Sequence, residues 1–121
     1  MSDPHPLRKK FHHVGLRTTT PQPDESYVAS FRCWVTNPNR HPQHVEYLRY
    51  EPDSPVREEF MDSPHVAYEV EDLSPHLAGQ DVFREPFDLG DPPFATAAFT
   101  REHGLIVEYL VFRPGRAWYD Q

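Results

Sequence analysis

The sequence predicts an α+β fold in which two copies of one β-rich module pair into a single curved sheet. Three observations carry this. Val45-Glu46-Tyr47-Leu48 recurs letter for letter as Val107-Glu108-Tyr109-Leu110. His13-Val14-Gly15-Leu16 is echoed by His65-Val66-Ala67-Tyr68 in the same order relative to those tetrapeptides. The apolar residues around both repeats come in short, alternating, strand-length runs.

The elements follow in order. Phe11 to Arg17 reads as a strand that stops at Thr18-Thr19-Thr20-Pro21. Residues 27–35, with Tyr27, Val28, Phe31, Trp34 and Val35, fit either one strand or a strand after a helical turn. The Asn- and Pro-rich run 36–42 is a turn. His44 to Tyr50 is a strand, and residues 53–64 are a linker with one possible helical turn opened by Ser54-Pro55. His65 to Val70 is a strand. Residues 72–79 form a short helix with Asp72 or Ser74 as cap, Pro75 in its first turn and Gly79 as its stop. Strands over 82–87 and 94–101 follow. Glu102-His103-Gly104 is a tight hairpin turn into the last strand, Leu105 to Phe112, and 113–121 is a tail. Module one spans about 11–52 and module two about 64–112, within one domain of 121 residues. Module one is compressed: its helix is missing or reduced to about a turn, and the shorter span leaves room for the loss of a strand.

Composition bounds the function. The chain carries 12 Lys and Arg against 19 Asp and Glu, for a formal net charge of −7. An acidic domain repels phosphate backbones, so no nucleic-acid partner is expected, and a cationic or neutral small molecule suits the charge better. One cysteine, Cys33, excludes an internal disulfide. No apolar run approaches the roughly 18 residues of a membrane helix, and the N-terminal residues lack the apolar centre of a signal peptide, so a cytoplasmic, non-membrane protein is expected.

The chemistry lies in the repeats. Strand alternation puts Ile106, Glu108, Leu110 and Phe112 on one face, with Glu108 the one ionisable group among them. His44, Glu46, Leu48 and Tyr50 share a face of their strand, as do Phe11, His13, Gly15 and Arg17 of the first. An unpaired buried carboxylate is costly, so each glutamate must meet a cation or a polar cavity. Singly, each histidine is more often structural and each glutamate more often paired across the sheet. As a matched, duplicated set, His13, Glu46, His65 and Glu108 point to a divalent ion such as Zn, Ni, Co, Mn or Fe. His12 is expected on the opposite face, and His41 and His44 form a weaker rival cluster. Trp34, Tyr47, Tyr50, Phe60 and Tyr68 are candidate pocket aromatics. There is no phosphate-binding glycine loop and no nucleophile elbow.

The segments Phe11-His12-His13-Val14-Gly15-Leu16, Glu51-Pro52-Asp53-Ser54-Pro55, residues 64–73 beginning Pro64-His65-Val66-Ala67, and Val107-Glu108-Tyr109-Leu110 resemble the vicinal oxygen chelate superfamily. That superfamily includes glyoxalase I, bleomycin-resistance proteins and extradiol dioxygenases; the likeness is to a small glyoxalase-like group within it. The resemblance implies paired βαβββ modules in a cup-like mixed sheet and metal ligands at His13, Glu46, His65 and Glu108. It further implies a lyase or isomerase acting on a small oxygenated substrate through an oxyanion or enolate, with either Glu46 or Glu108 as the base. A homodimer is implied, and exposed sheet edges favour one. The alternatives are a sequestering small-molecule-binding protein and an extradiol-type dioxygenase, against which the fourth ligand, Glu46, counts.

Overall fold

A computed structural model describes residues 8–90, 92–116 and 118. His5 and most of the N-terminal arm lie outside the described residues. Eight strands form one mixed sheet. They are β1 (Lys10–Arg17), β2 (Ser26–Val28), β3 (Cys33–Val35), β4 (Val45–Tyr50), β5 (His65–Glu69), β6 (Asp81–Gly90), β7 (Pro93–Glu102) and β8 (Leu105–Phe112). Their lateral order is β2-β3-β4-β1-β5-β8-β7-β6, and the sheet curls into a half-barrel.

This order is a palindrome of modules. In each half the first and last strands run parallel, β1 beside β4 and β5 beside β8. The halves meet where β1 and β5 run antiparallel, with Val14 opposite Val66. About that pair the registers mirror each other: Gly15 faces Glu46 as Ala67 faces Glu108. The sequence repeat is thus a structural repeat with a pseudo-twofold axis.

Helix is scarcer than an α+β reading implies. Two short α-helices occur among the described residues, α1 (Glu58–Asp62) and α2 (Ser74–Leu77). No helix links β1 to β2 in module one. Of the two forms of compression the sequence allowed, the missing helix is found and the lost strand is not: β2 and β3 survive as three-residue strands around a 3₁₀ turn at residues 29–31. Compression therefore removed the helix and shortened two strands without deleting either. The Ser74 amide of α2 donates to Asp72 Oδ1 (3.3 Å), and Gly79 closes the segment at φ 74°. The β7–β8 hairpin turns on His103 and Gly104, both at positive φ, as a two-residue primed turn requires. β4 begins at Val45 rather than His44, because His44 sits at φ 56°; it leaves the face it was expected to share with Glu46.

The sheet separates two apolar layers. On the convex side α2 covers Val70, Val107 and Tyr109 through Leu73 and Leu77. The concave side holds Ala67, Leu89, Phe94, Ala95, Ala97 and Leu110. Trp118, from the segment read as a plain tail, is buried within that concave cluster. α1 lies across the cup and buries Phe60. Paired arginines tether it at both ends: Arg101 donates twice to Glu59 (2.8 and 2.7 Å), and Arg17 donates to Asp62 (2.7 Å). Among the described residues no helix is long and apolar enough to cross a membrane.

Candidate metal centre

The four strands at the centre of the sheet each contribute one polar side chain to the concave floor. In lateral order these are Glu46 (β4), His13 (β1), His65 (β5) and Glu108 (β8), so the carboxylates flank the imidazoles. All four are buried, with relative exposures of 4%, 0%, 3% and 3%. His13 Nε2 lies 3.4 Å from His65 Nε2, 3.4 Å from Glu46 Oε1 and 3.2 Å from Glu108 Oε1. His65 Nε2 lies 3.7 Å from Glu46 Oε1 and 3.3 Å from Glu108 Oε1. Donor atoms of His13, His65 and Glu108 all fall within 4.8 Å of one another, a cluster able to hold a metal ion.

His13, His65 and Glu108 suit a first-row divalent ion in chemistry and spacing, and Glu46 stands beside them outside that tight group. With bonds of about 2.0–2.2 Å, tetrahedral donors stand ~3.4 Å apart and adjacent octahedral donors ~3.0 Å apart. The five separations above bracket the first value and need a small contraction for the second. The cavity bounded by Glu46, His65 and Glu108 measures about 20 Å³, enough for one water or ion, which needs about 10–15 Å³.

Charge distribution explains how two carboxylates stay buried here. Burial pulls the His13 imidazole down, but the Glu46 charge and hydrogen bonds to Glu108 and Glu46 outweigh it and raise its pKa to about 9. Burial pushes Glu108 up, and hydrogen bonds from His13 and His65 overcome that and hold it at about 2. The cluster is therefore an imidazolium–carboxylate network when a proton takes the cation's place.

Several contributors were not read from sequence. A register shift between Phe11 and His13 makes His12 the extra residue of a bulge, and this turns it toward His13 instead of the opposite face. The two Nδ1 atoms lie 2.7 Å apart. With His13 Nε2 aimed at the donors, its Nδ1–H donates to a neutral His12 Nδ1. Burial first, and then the charge of His13, holds His12 down at about 4, which keeps it an acceptor. Gly15 lies under the other imidazole: a Cβ there would fall on the His65 ring. Phe60 stacks on His65 (5.1 Å, 24°). Trp118 packs edge-on against His13 (5.0 Å) and tilted on His12 (5.2 Å). One sequence signal existed: Gly15 is glycine where its counterpart in the repeat is Ala67. A tryptophan in a polar tail was a second.

Other expectations fail on placement. Of the five candidate pocket aromatics, Phe60 borders the donors and the adjoining cavity and Tyr47 lines a separate one, while Tyr50 and Tyr68 pack against core clusters. His41 and His44 form no cluster. The His41 ring accepts from the Gln43 amide (3.0 Å), and His44 packs on Phe11 (6.3 Å). Cys33 is fully buried, and burial pushes its thiol up to about 12, so it is inert.

No family model and no curated protein matches this chain. A fold match is found with the crystal structure of a hypothetical protein from Bacillus halodurans C-125, at TM-score 0.64 and 15% identity, covering 91% of this chain and 99% of the other. At that identity the likeness establishes a shared fold, spanning nearly the whole of both chains.

Proposed function

We propose that this chain is a metal-dependent enzyme of the vicinal oxygen chelate type, a lyase or isomerase acting on a small oxygenated substrate. The observation that carries the reading is the convergence of His13, Glu46, His65 and Glu108, two chemically matched pairs placed by a pseudo-twofold axis on one concave floor. His13 and His65 would hold a Zn, Ni, Co, Mn or Fe ion together with the two carboxylates. Such an ion, when bound, polarises a substrate oxygen and stabilises developing negative charge.

The glutamates divide the work unequally in this reading. Glu108 makes the shorter contacts to both imidazoles and is held at about 2, which suits a permanent ligand and makes a poor base. Glu46 approaches at 3.4 and 3.7 Å and is the freer carboxylate, so it is the one assigned to move a substrate proton. The concave apolar lining would keep bulk water from that proton. A homodimer joined through sheet edges, in the cytoplasm, is the assembly proposed with this activity.

Elemental analysis of untagged protein tests the centre. Near-stoichiometric metal, lost in His65→Ala and Glu108→Ala, is expected. Glu46→Gln should keep metal while losing substrate proton exchange with D₂O. Protein that takes up none of the five ions would overturn the reading. A second reading, sequestration of a small molecule without turnover, draws on one observation. The space at the donors is small, and Phe31, Phe60, Phe99 and Trp118 bound it. Saturable ligand binding with no turnover in metal-loaded protein would favour it.

A further inference from the structure

Beside the donors, and separated from them by Phe31, Phe60 and Phe99, lies a second cavity of about 200 Å³. Its walls are aromatic, and two cations stand in its lining, Arg57 and Arg84. No Asp or Glu lines it. Arg57 lies over Phe83 (4.5 Å), and Arg84 lies over Phe87 (4.1 Å). Among the described residues neither arginine forms an ion pair, a condition shared with Arg8 and Arg116 near the chain ends, whereas Arg17, Arg32, Arg40, Arg49, Arg101 and Arg113 all do. Glu59 feels the charge of Arg57, but its carboxylate is engaged twice by Arg101.

In a chain of net charge −7 two unpaired arginines in one aromatic cavity are a local reversal of sign. Stacking on phenylalanine occupies a guanidinium's face and leaves its N–H edge to donate, and that edge matches a carboxylate. The volume lies below the roughly 300–1,000 Å³ of pockets for drug-sized ligands. We infer that this cavity anchors a small carboxylate with an aryl or short alkyl body. Its carboxylate would meet Arg57 and Arg84, and its body would lie along Phe31, Phe60 and Phe99 toward Glu46, His65 and Glu108. The substrate is then anionic, the reverse of what net charge alone suggests. As a statement about the substrate this rests on the metal-dependent reading; as a statement about binding it stands apart from it.

The test is titration of the full chain with benzoate, benzamide and benzylamine, followed by amide NMR shifts. Benzoate should bind at least tenfold more tightly than the neutral and cationic analogues. Arg57→Gln and Arg84→Gln should each weaken it by roughly two- to fivefold, the usual worth of an ion pair at the surface. Both arginines are exposed, so these variants should fold, with unchanged circular dichroism and metal content. Equal or tighter binding of benzylamine or benzamide, benzoate affinity unmoved by both substitutions, or no saturable benzoate binding at millimolar concentration would each overturn the assignment. Glu108→Gln separates the two readings: benzoate binding that survives in this metal-depleted variant upholds the anion site even if the metal chemistry fails.

Discussion

The His65 imidazole rests over the bare Cα of Gly15, on the neighbouring antiparallel strand and directly across from it in register. Phe60 stacks on the same ring, so His65 is positioned by a missing side chain and by an aromatic one. Gly15→Ala should push the ring out of line. Metal affinity should fall at least tenfold, and folding stability by about 1–3 kcal/mol, as for other overpacked cores. Chelator competition and urea unfolding read the two effects separately. Unchanged affinity would mean that the ring relocates without leaving the donor set.

His13 is oriented by a different device. His12 accepts from its Nδ1, and Pro64 stands at the matching place in module two, so the repeat is asymmetric here. His12→Ala should weaken metal binding by roughly 10- to 100-fold, the usual effect of removing such a partner. His12→Asn, which restores an acceptor, should recover part of it.

Metal binding should strengthen as pH rises from 6 to 9. The ion must displace the proton that His13 holds up to about pH 9, so affinity should gain close to tenfold per pH unit over that range. Competition with a chromogenic chelator at three pH values checks the slope. The metal-free protein should behave in the opposite sense. His13 is raised in the fold, so its stabilisation is complete below its ordinary 6.5 and lost as pH rises through about 9. Glu108 is lowered, so its stabilisation is complete above its ordinary 4.5 and lost as pH falls toward about 2. Metal-free protein should therefore be most stable, as far as this cluster is concerned, between about pH 4.5 and 6.5.

Trp118→Ala should cost about 3–5 kcal/mol, as for other buried tryptophans, and speed metal exchange by opening one wall of the donor cavity. Thermal unfolding and stopped-flow chelation would measure these. Exchange at the wild-type rate would show that ions enter by the Phe60 side instead.

What the sequence made legible was the part governed by period and repetition. Alternation alone places Glu108 and Leu110 inward, and the duplicated tetrapeptide places Glu46 by analogy. The four donors were readable because the repeat marks each of them, and the one break in period, in β1, falls before His13. His12 was misplaced because a bulge breaks the period between Phe11 and His13, and nothing in the residues there announces it. Module one kept all its strands because a three-residue strand such as Cys33–Val35 needs only its hydrogen-bonded neighbours, and a periodicity argument requires longer runs. Trp118 was lost among tail residues because its partners lie on distant strands. The arginine-lined cavity was invisible for a similar reason: Arg57, at the N-cap of α1, and Arg84, on β6, share one lining only in the fold, while net charge averages over the surface.

The lateral order of the strands has a consequence for how the chain comes to rest. Strands β1 and β4 lie side by side early in the chain, but the partner carboxylate Glu108 belongs to the last strand. Neither half of the chain can assemble the donor set alone, and β8 must slot between β5 and β7 before it exists. An ion seated on these four side chains would act as a latch that closes only on the finished topology.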